Sequence, residues 1–377
     1  MACISLGKID KNLIPIVIGC IVCFFNRLLN QYDETLLFKN IIIPSIYISL
    51  SRFLAVIPYI ILKIRTKGFN DCCVKNINKD PIKYIYNNNQ NVITKGKKRY
   101  TFLSAIIYLI NQFQFVPTFK IKTNSWIWII LITSIFYYFI FKIKLYKHHY
   151  ISAILIILIG VIIDLFLKNL QNDIINDLPL LLIKFVREIL FSLYNVLAKY
   201  VMEKKFVSVY EFSFYIGLIN LIIVGIFSVF DYYYFRIDNY EEYFSNFNVK
   251  ESLVMLGVII SQFGINISSL FTVKNNTPCH TFIIFVFGQF AYYVNFELKS
   301  IIVIICLIFI LFLSLIFNEI IEINFWKLSY NTRRNISERA STEDFDIKKI
   351  NITDFDSINE SNENLSGLKD SSINSSI

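Results

Sequence analysis

Arg52 stands near the middle of a long apolar run in this 377-residue chain. A guanidinium at such a position must face a partner, a wet cavity or a ligand, because an ionised group among apolar side chains is costly. A second polar group sits on a later apolar run and comprises Lys184, Arg187, Glu188, Asn195 and Lys199. Lys184 and Glu188 are one helical turn apart and can pair. Close to a helix end the same residues, Lys199 included, would instead anchor the helix at an interface. Neutral polar residues interrupt other apolar runs: Gln112, Gln114, Tyr215, Asn220, Gln262, Asn266 and Gln289. Such groups either join helices by hydrogen bonds or line a wet pathway. Arg52, Arg187 and Lys199 stand against Glu188 alone, so the chemistry is recognition of an anion. Arg can fork onto a phosphate, and Lys acts as a point charge.

Enzyme signatures are missing. The chain has no P-loop, no HExxH and no GxSxG. The expectation is a non-enzyme with no catalytic residue, cofactor or metal. His148, His149 and His280 lie at the edges of apolar runs with no acid at ligand spacing, and are read as interfacial. Cys20 and Cys23 form a CxxC without a matching pair for zinc and are read as small packing residues. Cys72 and Cys73 fall in a basic loop and could be acylated.

The elements that must position these residues follow from hydropathy. Hydrophobic residues make up 55% of the chain and charged ones 17%, against roughly 25% charged in soluble domains; the mean hydropathy is +0.54. Solidly apolar runs recur at a length that crosses a bilayer core of about 30 Å, and their lack of a two-residue period argues against a barrel. The spans expected are 13–29, 40–62, 100–117, 125–141, 150–167, 178–202, 209–230, 252–273, 278–296 and 300–317. Thr277 before Pro278 is a start signal for the ninth. The fold class is therefore an all-α integral membrane protein with ten transmembrane helices.

The net charge of +9 gathers in short loops, which points to a lipid bilayer and not to nucleic acid. The loop 64–99 and the loops after spans 4 and 6 are rich in Lys and Arg. The opposite loops carry Asp33, Glu34, Asp173, Asp177, Asp231 and Asp238. The positive-inside rule then places both termini in the cytosol. Residues 331–377, rich in Ser and Asn, read as a disordered cytosolic tail, whose sequons at Asn335 and Asn351 would stay unglycosylated.

Two matches link the halves. Leu109-Ile-Asn-Gln-Phe113 resembles Ile259-Ile-Ser-Gln-Phe263, and Tyr137-Tyr-Phe-Ile-Phe-Lys-Ile-Lys144 resembles Tyr292-Tyr-Val-Asn-Phe-Glu-Leu-Lys299. The partners lie five spans apart, an odd number, so equivalent helices run in opposite directions. That predicts two inverted-topology five-helix repeats, 10–167 and 178–325, an arrangement common in secondary transporters.

Three segments carry a family resemblance over roughly residues 10 to 325: the basic turn and apolar helix from Phe141 to Gly160; Glu188-Ile-Leu-Phe-Ser-Leu-Tyr-Asn-Val-Leu-Ala-Lys-Tyr-Val-Met-Glu-Lys204; and Tyr210-Glu-Phe-Ser-Phe-Tyr-Ile-Gly-Leu-Ile-Asn220. With them the chain resembles the drug/metabolite transporter superfamily, EamA-like, and within it the nucleotide-sugar transporters of solute carrier family 35. In span 9 it reads Phe287-Gly-Gln-Phe-Ala-Tyr-Tyr293, where the nucleotide-sugar branch carries Gly, Asn and Lys. The resemblance implies alternating access around a central cavity in a Golgi or other endomembrane. The expected function is secondary transport of a small anionic solute, bound by Arg52, Gln112, Glu188, Lys199, Tyr215, Asn220, Gln262 and Gln289. A homodimer is compatible with this. The competing readings are a non-transporting membrane adaptor and, with less in its favour, a membrane-embedded transferase.

Overall fold

Pro58 breaks the second helix. It has no N–H to return to the Leu54 carbonyl, and its ring crowds that carbonyl. The helical ladder tightens there: Ala55 N–H donates to the Arg52 carbonyl at 3.1 Å and Ile57 N–H to that of Leu54 at 3.2 Å. The four-residue step resumes with Tyr59 N–H to the Ala55 carbonyl at 3.1 Å. The span expected over 40–62 is therefore two pieces, Ile42–Phe53 and Val56–Val74, both taken here as α2. The second piece also makes the first part of the expected loop 64–99 helical, and its last residues belong to the next helix.

The computed structural model describes residues 4–6, 11–32, 42–74, 97–113, 125–142, 145–168, 178–235, 238, 240, 249–293 and 298–323. Besides α2, the helices are α1 (Ile14–Tyr32), α3 (Lys97–Phe113), α4 (Trp128–Phe141), α5 (Lys147–Lys168), α6 (Leu178–Lys204), α7 (Val209–Phe230), α8 (Val249–Asn275), α9 (Thr281–Gln289) and α10 (Leu298–Phe317). Gln114, the sequons, Cys72 and Cys73 side chains and the tail from 331 lie outside the described residues. Among those described, three helices are long and apolar enough to cross a membrane: Ile42–Arg65, Val209–Tyr234 and Ser252–Asn275, with mean hydropathies of 1.8, 2.2 and 1.8. At a rise of about 1.5 Å per residue the shortest of them reaches about 36 Å. Shorter apolar helices cover Ile14–Leu29, Trp128–Phe141, Lys147–Ile163 and Ile301–Phe317.

Helix ends follow local chemistry. Ser208 caps α7 by accepting the Glu211 N–H at 3.1 Å, and Glu211 pairs with Lys97 at 2.7 Å. An acid in the first turn suits the positive end of the helix dipole. The start expected at Thr277–Pro278 is found there: a tight turn, Pro278–His280, leads into α9. The ninth span is shorter than expected, because a 3-10 turn, Phe290–Tyr293, follows α9 directly. Lys142, Phe206 and Glu319 adopt left-handed φ of 56°, 52° and 59° after α4, α6 and α10, where glycine is the usual residue.

The chain divides into two compact units. The larger, Lys8–Ile320, holds every described helix. α6 packs on α3 and α4, and α1 packs on α8 and α9. α2 pairs with α7, and α5 with α10; α2 also meets α8, as α7 meets α3. One core joins Tyr108, Tyr194, Phe212 and Leu270, from α3, α6, α7 and α8. Another joins Trp126, Ile130, Phe282 and Leu307. Cys20 and Cys23 are free and buried, in a third cluster with Ile283 and Ile284 of α9. The smaller unit brings residues 1–7 together with the chain from Ile321. Its described part is an antiparallel strand pair, β1 (Ile4–Leu6) and β2 (Ile321–Ile323), with Ile4 opposite Ile323. Apart from that pair and the short turns, the described elements are α-helical.

Candidate functional site

Arg52 lies in the last turn of the first piece of α2 and is 3% exposed. Its Nη1 donates to the Tyr194 hydroxyl at 2.7 Å. Its Cζ lies 3.7 Å from the Tyr108 ring centre and 5.2 Å from that of Tyr194. The two tyrosine rings are 4.8 Å apart, and Phe212 lies against Tyr194 at 6.3 Å. Among the described residues no carboxylate forms an ion pair with Arg52, and its Nε has no hydrogen-bond partner. A desolvated cation–π contact is worth about 2 kcal/mol. Removing a charge from water costs several kcal/mol even after relaxation. The aromatic faces therefore hold the guanidinium without neutralising it, and the remainder favours an anion.

The backbone at Arg52 is held as tightly as the side chain. α7 lies directly on the α2 break at Gly217, where an added Cβ would fall 2.4 Å from the Phe53 nitrogen. Ser213, one turn earlier on α7, donates its hydroxyl to the Arg52 carbonyl at 3.4 Å. At the other end of the same three-helix contact, Ile42, Leu109 and Val224 pack together. Between those two levels fall Ser49 on α2 and Asn220 on α7, both 0% exposed. Gln112 follows Tyr108 by one turn on α3 and is 5% exposed. Ser49 Oγ and both amide atoms of Gln112 and of Asn220 have no partner. A buried polar group left unpaired costs about 1–3 kcal/mol, so each of these atoms calls for a water or a polar ligand.

A neighbouring set is already satisfied. Asn266 on α8 donates to Ser51 Oγ at 3.1 Å, and Gln262 is half-buried one turn earlier. Asn26 on α1 donates to Ser261 Oγ at 2.7 Å. Beside it, Arg27 Nη1 donates to the Tyr292 hydroxyl at 2.6 Å. Gly288 abuts Cys23, whose Sγ is 2.5 Å from where a Cβ would stand, and Gln289 follows it, half-buried, at the end of α9. Sequence reading passed over Arg27. The signal was an arginine in the run 13–29, but near its end, where an interfacial anchor is equally natural.

The structure sets Arg52 against Tyr108 and Tyr194; Gln112 and Asn220 are buried on the helices α3 and α7 that pack there, and Gln262 lies one turn from Asn266 on α8. The other expected ligands are engaged elsewhere. Lys199 Nζ donates to the carbonyls of Lys274 at 3.0 Å and Asn276 at 2.6 Å and pairs with Glu203. It thus sits at the negative end of the α8 dipole, where a cation is favoured. Glu188, 2% exposed, accepts from its neighbour Arg187 at 2.5 Å. Tyr215 is 37% exposed, on the outward side of α7 against Phe214 at 5.3 Å. Asp238, read from sequence only as loop charge, caps α2: its Oδ2 accepts from Ile42 N–H at 2.8 Å and Ile43 N–H at 3.0 Å. Its own N–H donates to Asp231 at 3.0 Å. Burial first, then the Asp238 and Asp231 carboxylates, hold the nearby Tyr240 phenol above its ordinary range. The histidines are not all merely interfacial: His148 and His149 meet Glu319, at 3.2 Å and 3.8 Å. Compared with known proteins, the chain matches no protein-family model and no curated protein.

Proposed function

We propose that this chain is a multi-pass membrane protein that moves a small anionic metabolite across an endomembrane by alternating access. The observation that carries the reading is Arg52: a buried guanidinium held by two tyrosines, with no ion-pairing carboxylate among the described residues. An anion that arrives and leaves would neutralise this buried charge without a permanent carboxylate. A phosphate-bearing solute fits the fork of a guanidinium.

Several features support the membrane and the two-half design. Large apolar side chains such as Ile57, Phe139, Ile226 and Phe309 are exposed along the helices, which in water would make an aggregating surface. Exchanging the helices of one half for those of the other turns the α1 contacts with α8 and α9 into the α6 contacts with α3 and α4. The same exchange turns α2–α8 into α7–α3 and leaves α2–α7 and α5–α10 as they are. That is the pairing two inverted five-helix repeats would make, and it agrees with the resemblance to drug/metabolite transporters. The antiparallel pairing of Ile4–Leu6 with Ile321–Ile323 suits termini on one side of the membrane, and the basic loops make that side the cytosol. A Golgi or related membrane follows from the resemblance.

Uptake into proteoliposomes tests the proposal, with a panel of nucleotide sugars, sugar phosphates and organic anions. At least one is expected to be exchanged by the native chain. Arg52→Ala should lose uptake by at least about 100-fold, and Arg52→Lys should lose most of it, because an ammonium neither stacks on Tyr108 nor forks. Native-like uptake by Arg52→Ala would refute the role given to Arg52.

A further inference from the structure

His148 and His149 occupy the first turn of α5, and Glu319 follows the end of α10. One ligand atom from each lies within 4.8 Å of the other two. The imidazole centres are 4.0 Å apart. His148 Nε2 is 3.2 Å from Glu319 Oε1 and His149 Nε2 is 3.8 Å from it. Donors on a tetrahedral zinc ion, bound at about 2.0–2.1 Å, stand about 3.3 Å apart. Small side-chain adjustments would bring all three onto one ion.

Two separate observations say that this cluster is more than a chance contact. Glu319 holds a φ of 59°, in the helix-ending position where glycine is preferred. The backbone pattern is the usual one for such an end, with Ile320 N–H donating to the Leu315 carbonyl at 2.9 Å and Glu319 N–H to that of Ile316 at 3.1 Å. Glycine would close this turn with less strain, and the chain places a carboxylate there. The second observation is His148 itself. It is 4% exposed and its Nδ1 has no hydrogen-bond partner, so the Nε2 contact with Glu319 and the packing on Tyr146 and His149 fix how the ring is turned. Beside the cluster a cleft of about 550 Å³, lined in part by Tyr146, His149, Tyr150 and Phe317, gives an ion and a water ligand access.

We propose that His148, His149 and Glu319 bind a divalent transition-metal ion, zinc foremost, which ties the start of α5 to the end of α10. Two imidazoles and one carboxylate suit zinc over magnesium or calcium, which prefer oxygen. Three protein ligands leave a fourth position for water. The negative end of the α10 dipole favours a cation and the positive end of α5 opposes it; the two offset, and the Glu319 charge decides. The site departs from the expectation of no metal. It does not rest on transport, and it stands or falls separately from it.

The test uses full-length protein in detergent, purified through a tag without histidine and stripped of metal. Zinc is titrated against a chromogenic chelator, and bound metal is counted by mass spectrometry. The native chain should bind one equivalent at micromolar concentration or tighter. His149→Ala should weaken that at least about tenfold. Glu319→Gly removes a ligand while suiting the left-handed turn, so it should fold normally and hold no zinc. Cobalt in place of zinc should give the visible bands of a tetrahedral centre in the native chain alone. No stoichiometric zinc in the native chain, or equal zinc in native and Glu319→Gly protein, overturns the proposal and leaves a simple His–Glu hydrogen bond.

Discussion

At Arg52 two aromatic faces take the place that a carboxylate would fill in an ordinary buried ion pair. The difference matters because a permanent carboxylate would compete with any anionic ligand, whereas a ring does not. The close approach of α7 behind Arg52 depends on one missing methyl. Gly217→Ala would set a Cβ 2.4 Å from the Phe53 nitrogen, against backbone that cannot turn aside. It should lower stability by about 1–3 kcal/mol, as overpacking does, and so depress the thermal midpoint by several degrees. An unchanged midpoint would mean that α2 and α7 do not touch there. Tyr240 allows a pH test. Its phenol is held above the ordinary range by burial and by Asp238 and Asp231. As pH rises, the unfolded chain ionises first, so the contribution is present below the ordinary tyrosine range and is lost as pH climbs toward the folded value. Thermal midpoints between about pH 8 and about pH 11 should fall less steeply for Tyr240→Phe than for the native chain.

Among the elements, α2 has two properties that pull against each other. It is apolar enough to be one span, yet Pro58 divides it just after Arg52. The break lets Arg52 lie in the last turn of one helical piece while Asp238 caps the start of the same piece. Pro58→Ala would offer the Leu54 carbonyl, now bonded to the Ile57 N–H, the N–H four residues on that proline lacks, and would remove a ring clash. The variant should be as stable as the native chain or more so, while uptake falls at least about tenfold because Arg52 loses its aim. Equal uptake by both proteins would show that the break serves packing alone. The helix ends use cations in a related way: Lys199 sits on the last carbonyls of α8, where the helix dipole favours it.

On the scale of the whole molecule, the packing of α1 with α8 and α9 and of α6 with α3 and α4 means that neither half would bury its own apolar faces. Each half supplies the other with its partners, so the halves should fold together or not at all. The strand pair near the chain ends offers a direct check on arrangement. Ile4 and Ile323 face one another in register, and opposed residues of an antiparallel pair have Cα atoms about 4.5–5.5 Å apart, within disulfide reach. With the native cysteines replaced, Ile4→Cys with Ile323→Cys should cross-link on mild oxidation. After proteolysis in the loop 64–99 the two fragments should then migrate as one without reductant. Fragments that always separate would place the ends apart.

Much of this molecule is written in local pattern. Apolar run length located the helices because the hydrophobic requirement acts residue by residue, and Thr277–Pro278 marked a start because capping is local chemistry. Arg52 stood out by the same logic, as a charge among apolar neighbours. The sequence also held Pro58 in plain view, and the α2 break could have been read from it. What pattern alone could not decide was which polar residues meet. Tyr108 and Tyr194 meet Arg52, while Lys199 and Tyr215 turn away, because helix rotation and register are set by packing between distant segments. His148 and Glu319 lie 171 residues apart, and no spacing rule connects them. Only the pairing of α5 with α10 brings those side chains within one ion's reach.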